Sequence, residues 1–183
     1  MKLEEAKLRS QPFELLFSQD RIEKKTREIG QRLASDYNGK TPLFVGVLKG
    51  CFIFMADLVR QVNIPLEVDF ISARSYGDSM KPGKLILTGG PDVSLKDRHV
   101  LLVEAVVDTG HTAYQLLELI KSMEPASIEI VTLLDKTGRR ESSLDIKYAG
   151  FRVTNDFVIG YGLDHGQFYR NLPFIGKVIE KNG

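Results

Sequence analysis

The sequence predicts an α/β protein, a mostly parallel twisted sheet with helices on both faces. Three observations lead there. Apolar runs of strand length alternate with segments of helical period, the pattern of repeated strand–helix crossovers. The central run, Val100 to Val103 with Val106 and Val107, is almost unbroken in Val and Leu, as expected of a parallel strand covered on both faces. Four strand ends carry Lys49, Asp108, Lys136 and the Phe157-to-Asp164 segment, and connections in such sheets gather those ends on one edge, where ligands bind.

Each element has its own signal. Asp20 with Glu23 has the form of a capping box, and Ile22, Thr26, Ile29 and Leu33 follow at helical spacing until Asn38-Gly39 stops the helix. Leu43 to Leu48 reads as a strand, Lys49-Gly50 as a turn, and Phe54, Met55, Leu58 and Val59 as one face of a helix. Leu66, Val68 and Phe70 alternate with Glu67 and Asp69 and continue into Ile71, a third strand. Residues 72–90 are punctuated by Ser75-Tyr76-Gly77, Lys81-Pro82-Gly83 and Gly89-Gly90 around Leu85-Ile86-Leu87, which predicts a mobile flap with a small hairpin. A loop of that length often closes over a reaction that must exclude water, and a plain surface hairpin has the same composition.

The stretch His99 to Thr112 is the centre of the sequence. Glu104 and Asp108 are four apart, so the strand period of two puts them on the same face near its carboxyl end. Asp108-Thr109-Gly110-His111-Thr112 then forms a turn whose backbone N–H groups, hydroxyls and following helix N-terminus can surround a phosphate. Taken alone, the turn is also explained as an ordinary helix N-cap. A helix through Ala113, Leu116, Leu117 and Ile120 follows, and Pro125 ends its pattern. Ile128, Ile130 and Thr132 to Leu134 make a strand ending in Asp135-Lys136, and Ile146 to Tyr148 and Val158 to Tyr161 read as shorter strands. The tail through Arg170, Asn171, Leu172, Pro173 and Phe174 lacks a helical period and is expected to wrap a hood or an edge.

Composition narrows the classes. At 183 residues, with 43% hydrophobic and 27% charged residues, the chain reads as one soluble domain over 1–183, not a disordered or fibrous protein. Lys and Arg number 25 against 24 Asp and Glu, so the net charge calls for neither a nucleic-acid nor a membrane partner. Met1-Lys2-Leu3-Glu4-Glu5 lacks the apolar core of a signal peptide, and a cytoplasmic protein is expected. The single cysteine, Cys51, cannot form an internal disulfide and sits among apolar neighbours as a core residue. His99 and His165 show no metal-ligand spacing, and no zinc is expected.

A ligand meeting Lys49, the phosphate turn and Arg170 should be polyanionic, and carboxylates beside it would suit Mg²⁺ and sugar hydroxyls. The aromatic Phe157 and the ammonium of Lys136 would suit a flat base with an exocyclic oxygen. Phosphorylated ribose, pyrophosphate and nucleobase together meet that description.

The chain resembles the hypoxanthine-guanine phosphoribosyltransferases of the type I phosphoribosyltransferase family from about Pro42 to Lys177. The resemblance rests on Val-Gly-Val-Leu-Lys-Gly, Ser-Tyr-Gly, Val-Val-Asp-Thr-Gly-His-Thr, Leu-Leu-Asp-Lys, Phe-Val-Ile-Gly-Tyr-Gly-Leu-Asp and Tyr-Arg-Asn-Leu-Pro, in that order. It implies the type I fold, with a small hood from the N- and C-terminal segments and a flexible flap carrying Ser75 and Tyr76 as the catalytic loop. It makes Asp108 the general acid/base at the purine N7. It assigns the 5′-phosphate to Asp108, Thr109, Gly110, His111 and Thr112, and the pyrophosphate to Leu48, Lys49, Gly50 and Arg170. Lys136 would meet the purine 6-oxygen, Phe157 one face of the ring and Val158 the base through its backbone. Asp164 would belong to the purine pocket and be a Mg²⁺ ligand. The implied substrates are 5-phosphoribosyl 1-diphosphate and a 6-oxopurine, the cofactor Mg²⁺, and the assembly a homodimer or homotetramer.

One position departs from the family pattern. Where the family has a second adjacent acid that addresses the ribose hydroxyls, this chain has Ala105, leaving Glu104 alone. A lost hydrogen bond to a charged group is worth about 1.5–3 kcal/mol, roughly ten- to a hundred-fold, so weakened handling of ribose is expected. His111 either adds a pH-dependent charge beside the phosphate or faces solvent. Two other readings stand beside this one: an RNA-binding regulator on the same fold, and the same chemistry on another base such as xanthine.

Overall fold

A computed structural model describes residues 12–76, 84–141 and 143–179. Nine strands and three α-helices alternate along them: β1 (Phe13–Phe17), α1 (Gln19–Asp36), β2 (Leu43–Leu48), α2 (Phe52–Val59), β3 (Glu67–Tyr76), β4 (Lys84–Gly89), β5 (His99–Val107), α3 (His111–Lys121), β6 (Ser127–Asp135), β7 (Tyr148–Arg152), β8 (Val158–Ile159) and β9 (Ile175–Val178). Six strands form the main sheet in the order β4-β3-β2-β5-β6-β7, parallel throughout except for the antiparallel β3–β4 hairpin. This is the expected α/β fold, with β5 in the interior of the sheet.

Side-chain alternation explains the two layers of helices. Phe44, Leu101, Val103, Val131 and Leu133 pack with Ile22, Ile29 and Leu33 of α1 and Phe54, Met55 and Leu58 of α2. Leu43, Val45, Val100, Leu102 and Ile130 point the other way, against Ala113, Leu116 and Ile120 of α3. Both faces of β2, β5 and β6 are therefore buried, and each fully buried Leu or Ile contributes about 1.5–3 kcal/mol by leaving water.

The second sheet joins the ends of the chain. It runs β1-β9-β8, antiparallel, with Phe13 opposite Val178 and Val158 opposite Lys177. It supplies the Phe157–Asp164 segment, so the fourth strand end expected of the parallel sheet does not belong to it. Tyr161 ties this segment to α2: its O–H donates to Asp57 Oδ2 at 2.5 Å, and burial with the adjacent carboxylate raises the phenol well above its usual range, so it stays a donor.

Several local expectations are corrected. α1 begins at Gln19 behind Ser18 with no side-chain cap, so the Asp20/Glu23 capping box does not form. The strand expected at Ile146 to Tyr148 starts at Tyr148 and runs to Arg152. β8 stops at Ile159 because Gly160 and Tyr161 both turn to positive φ. The hairpin expected within the flap is formed by β3 and β4, Ser75 lying opposite Leu85 and Tyr76 opposite Lys84. The side chains of Ser75 and Tyr76, and residues 77–83, lie outside the described residues, and with them the expected mobility.

Candidate active site

Parallel register brings three strand ends together. Gly46 pairs with Val103 and Val107 with Asp135, so the segments after β2, β5 and β6 leave the sheet at one edge. Between them lies a cavity of about 220 Å³ lined by Leu48, Gly50, Glu104, Ala105, Asp108, Thr109, Gly110, Thr112 and Leu163. Glu104 and Asp108 share this cavity, as the sequence predicts.

Neither Asp108 nor Thr109 occupies the N-cap position of α3. The N-cap is Gly110, at φ 89°, with no side-chain hydrogen bond, and its C=O accepts the Tyr114 N–H at 2.8 Å. A Cβ at Gly110 would stand 2.9 Å from Arg140 Cδ and Leu144 Cδ1, so both backbone angle and space require glycine. Lys136 Nζ donates to Asp108 Oδ2 at 3.0 Å. Lys136 is only 6% exposed, and its backbone N–H donates to Val107 C=O at 3.0 Å, which fixes it beside the end of β5. A buried ammonium needs such a counter-charge.

Glu104 stands beside this pair under a different influence: burial pushes its carboxyl up to about 8. At neutral pH it is mainly protonated and able to donate a hydrogen bond. Ala105 is 3% exposed and faces Gly50 and Leu163, so the position where the family places an acid is apolar here.

Lys49 and Arg170 meet in an adjoining depression with Leu48, Phe52 and Gln167. The Leu48–Lys49 peptide is cis. Arg170 donates through Nη1 to Gly162 C=O at 2.8 Å and pairs through Nη2 with Asp164 Oδ1 at 2.7 Å. Asp164 Oδ2 accepts the Gln167 N–H at 2.8 Å. Gly162, at φ 97°, lies directly on the Gly50 carbonyl, where a Cβ would come within 2.3 Å. That contact holds the hood segment against the turn after β2.

Phe157 is 49% exposed, with its ring 5.2 Å from the His165 ring and edge-on to it. The Val178 N–H donates to Phe157 C=O at 2.8 Å, which makes residues 157 and 178 the bonded kind of antiparallel pair. By alternation Val158 and Lys177 form the non-bonded kind, so the Val158 N–H and C=O turn toward the outer edge of β8. His111, at the start of α3, has its Nε2 2.7 Å from Glu141 Oε2. Sequence reasoning did not single out the segment after Lys136, where Arg140 and Glu141 fold back onto the phosphate turn. Two adjacent arginines read as surface charge.

Residues 14–165 match the phosphoribosyl transferase domain family. The chain belongs to the phosphoribosyltransferase family. It is 39% identical over 170 residues to a Haemophilus influenzae protein named hypoxanthine phosphoribosyltransferase, covering 91% of this chain and 95% of that one. It is 42% identical over 163 residues to a Bacillus subtilis hypoxanthine-guanine phosphoribosyltransferase, covering 88% and 91%. It also matches the bifunctional TilS/HprT protein of Listeria innocua, 42% identical, and spans 25% of that protein's length. A crystal structure of a Staphylococcus aureus hypoxanthine phosphoribosyltransferase superposes with a TM-score of 0.88 at 38% identity, covering 91% of each chain. Among the described residues no helix of the chain is long and apolar enough to cross a membrane.

Proposed function

We propose that this phosphoribosyltransferase moves 5-phosphoribose from 5-phosphoribosyl 1-diphosphate to hypoxanthine or guanine, giving IMP or GMP and pyrophosphate, a purine-salvage reaction in the cytoplasm. The observation that carries the proposal is the part-buried Lys136–Asp108 pair beside the Thr109–Thr112 turn. The pair supports the reading because an ammonium donor suits a 6-oxo group and the adjacent carboxylate suits a ring N–H.

In this reading Asp108 takes the proton from N7 of the purine while N9 bonds to C1′ and the bond from C1′ to the diphosphate oxygen breaks, the electron pair leaving with pyrophosphate. Its negative charge also opposes the positive charge developing on the ribose ring. Lys136 donates to the purine 6-oxygen, Phe157 covers the ring, and the outward backbone groups of Val158 meet the base edge. Thr109 to Thr112 hold the 5′-phosphate, and Leu48, Lys49, Gly50 and Arg170 the diphosphate.

The residues present fit Mg²⁺ carried by the substrate. No group of three or more acids, His or Cys among the described residues is placed to hold a metal, and Mg²⁺ commonly binds through one or two carboxylates plus substrate phosphates. Asp164, partly exposed and next to Arg170, is the carboxylate that would hold it. Bound there, Mg²⁺ would neutralise charge on the leaving diphosphate. A homodimer or homotetramer is the assembly we expect.

The test is Mg²⁺-dependent pyrophosphate release with hypoxanthine, guanine, xanthine or adenine, for the wild type and Ala105→Asp. Turnover with a 6-oxopurine, raised roughly ten- to a hundred-fold in Ala105→Asp, is expected. Absence of turnover in both folded proteins would sink the reading.

A further inference from the structure

The phosphate turn is held from behind by residues outside the family motif. Arg140 lays its side chain across Gly110, its Cδ 2.9 Å and its Nε 3.5 Å from the position a Gly110 Cβ would take. Its Nη2 is paired with Asp135 at the end of β6, and the side chain is only 16% exposed. The Nε–H is buried with no hydrogen-bond partner among the described residues. The next residue continues the contact: the Glu141 N–H donates to Thr109 C=O at 2.9 Å, and the Glu141 carboxylate meets His111. Thr109, Gly110 and His111 are thus each touched by Arg140 or Glu141.

We propose that Arg140 is a positioning residue for the 5′-phosphate, fixing the Thr109–Gly110–His111 amides from behind. This rests on the function proposed above. Backbone donors bind an anion well when their directions are set beforehand, and a flexible turn of the same sequence must be ordered by the ligand itself. Arginine suits the place because its charge persists at any working pH and its planar end can pair with Asp135 while its stem covers Gly110.

The test uses Arg140→Lys and the double variant Arg140→Gln with Asp135→Asn, which avoids leaving the Asp135 carboxylate buried and unpaired. In both folded variants the KM for 5-phosphoribosyl 1-diphosphate should rise, by roughly tenfold in the double variant and less in Arg140→Lys. The kcat should stay within about threefold and the KM for the base should not move, because neither depends on the phosphate end. A purely structural role would lower the melting temperature and leave the donor KM alone. A donor KM within about twofold of wild type in folded Arg140→Lys and in the double variant overturns the assignment, and does so through Arg140→Lys alone where the double variant does not fold. Titration with inorganic phosphate gives a readout independent of turnover. A wild type inactive on every base overturns the proposed reaction, and unchanged phosphate affinity in the variants then overturns the role of Arg140 separately.

Discussion

Replacing Glu104 by Gln should flatten the dependence of stability on pH. Burial raises this carboxyl from an ordinary 4.5 to about 8 in the folded protein. Between those values the unfolded chain has lost the proton and the folded protein still holds it. Stability therefore falls as pH rises through the window. Below about pH 4.5 both states are protonated, and above about 8 both are ionised and the folded state carries the full cost of a buried charge. The difference, 8 − 4.5 or about 3.5 units, at about 1.4 kcal/mol each, sets an upper limit near 5 kcal/mol. Access of solvent through the cavity mouth should reduce the observed loss to about 2–4 kcal/mol. Asp36 and Asp156, whose carboxyls hydrogen bonds lower, act in the opposite direction and only under more acid conditions, so they do not overlap this window. Urea unfolding of wild type and Glu104→Gln at steps between about pH 5 and 9 reads the effect directly. Parallel stability curves for the two proteins would refute a buried, raised Glu104.

Asp108→Asn should lower kcat by roughly a hundred- to ten-thousandfold, as loss of a general acid/base does, and a kcat within threefold of wild type in steady-state assays would remove Asp108 from the chemistry. Lys136→Met should cut kcat/KM for hypoxanthine by roughly ten- to a hundred-fold while sparing any weak use of adenine, and an equal loss on both bases would contradict a contact to the 6-oxygen. Gly110→Ala should cost at least about 1–2 kcal/mol for the left-handed backbone alone, with a further penalty from Arg140 and Leu144. Calorimetry should show a melting temperature lower by at least about 2–4 °C, and an unchanged value would mean that the turn is free to rearrange.

The elements legible in the sequence are those whose pattern and burial agree. β2, β5 and β6 are covered on both faces and announce themselves as short runs rich in Val, Ile and Leu. β1 and β9 pair across almost the whole chain, and β1 leaves Phe13 and Leu15 exposed, so neither local propensity nor periodicity marks them; tertiary pairing decides. β7 contains Gly150, which weakens a strand pattern, yet a Cβ there would come within 2.5 Å of the Leu133 carbonyl. The glycine is present because the neighbouring strand needs the room. Asp108 and Lys136 could be singled out because chemistry and motif coincide there, and the fold pairs them. Arg140 could not, because its contact with Gly110 comes from a return of the chain that composition does not encode.

Acid–base pairing within the site also compensates its charges before any ligand binds. Lys136 and Arg170 would each bind ligand oxygens on the proposed function, and in the protein alone each is paired with another site residue, Asp108 and Asp164. An ammonium as deeply buried as Lys136 would otherwise weaken the fold by several kcal/mol. A purine entering beside the first pair gives each partner a second hydrogen-bonding group and leaves their mutual charge compensation in place. The desolvation of Lys136 is then already met in folding, so little of the binding energy of the base is spent on it. Lys136→Met should therefore act mainly on the choice of base, whereas Asp108→Asn removes both the proton acceptor and the counter-charge of Lys136, and of the two it should show the larger loss of stability as well as of kcat.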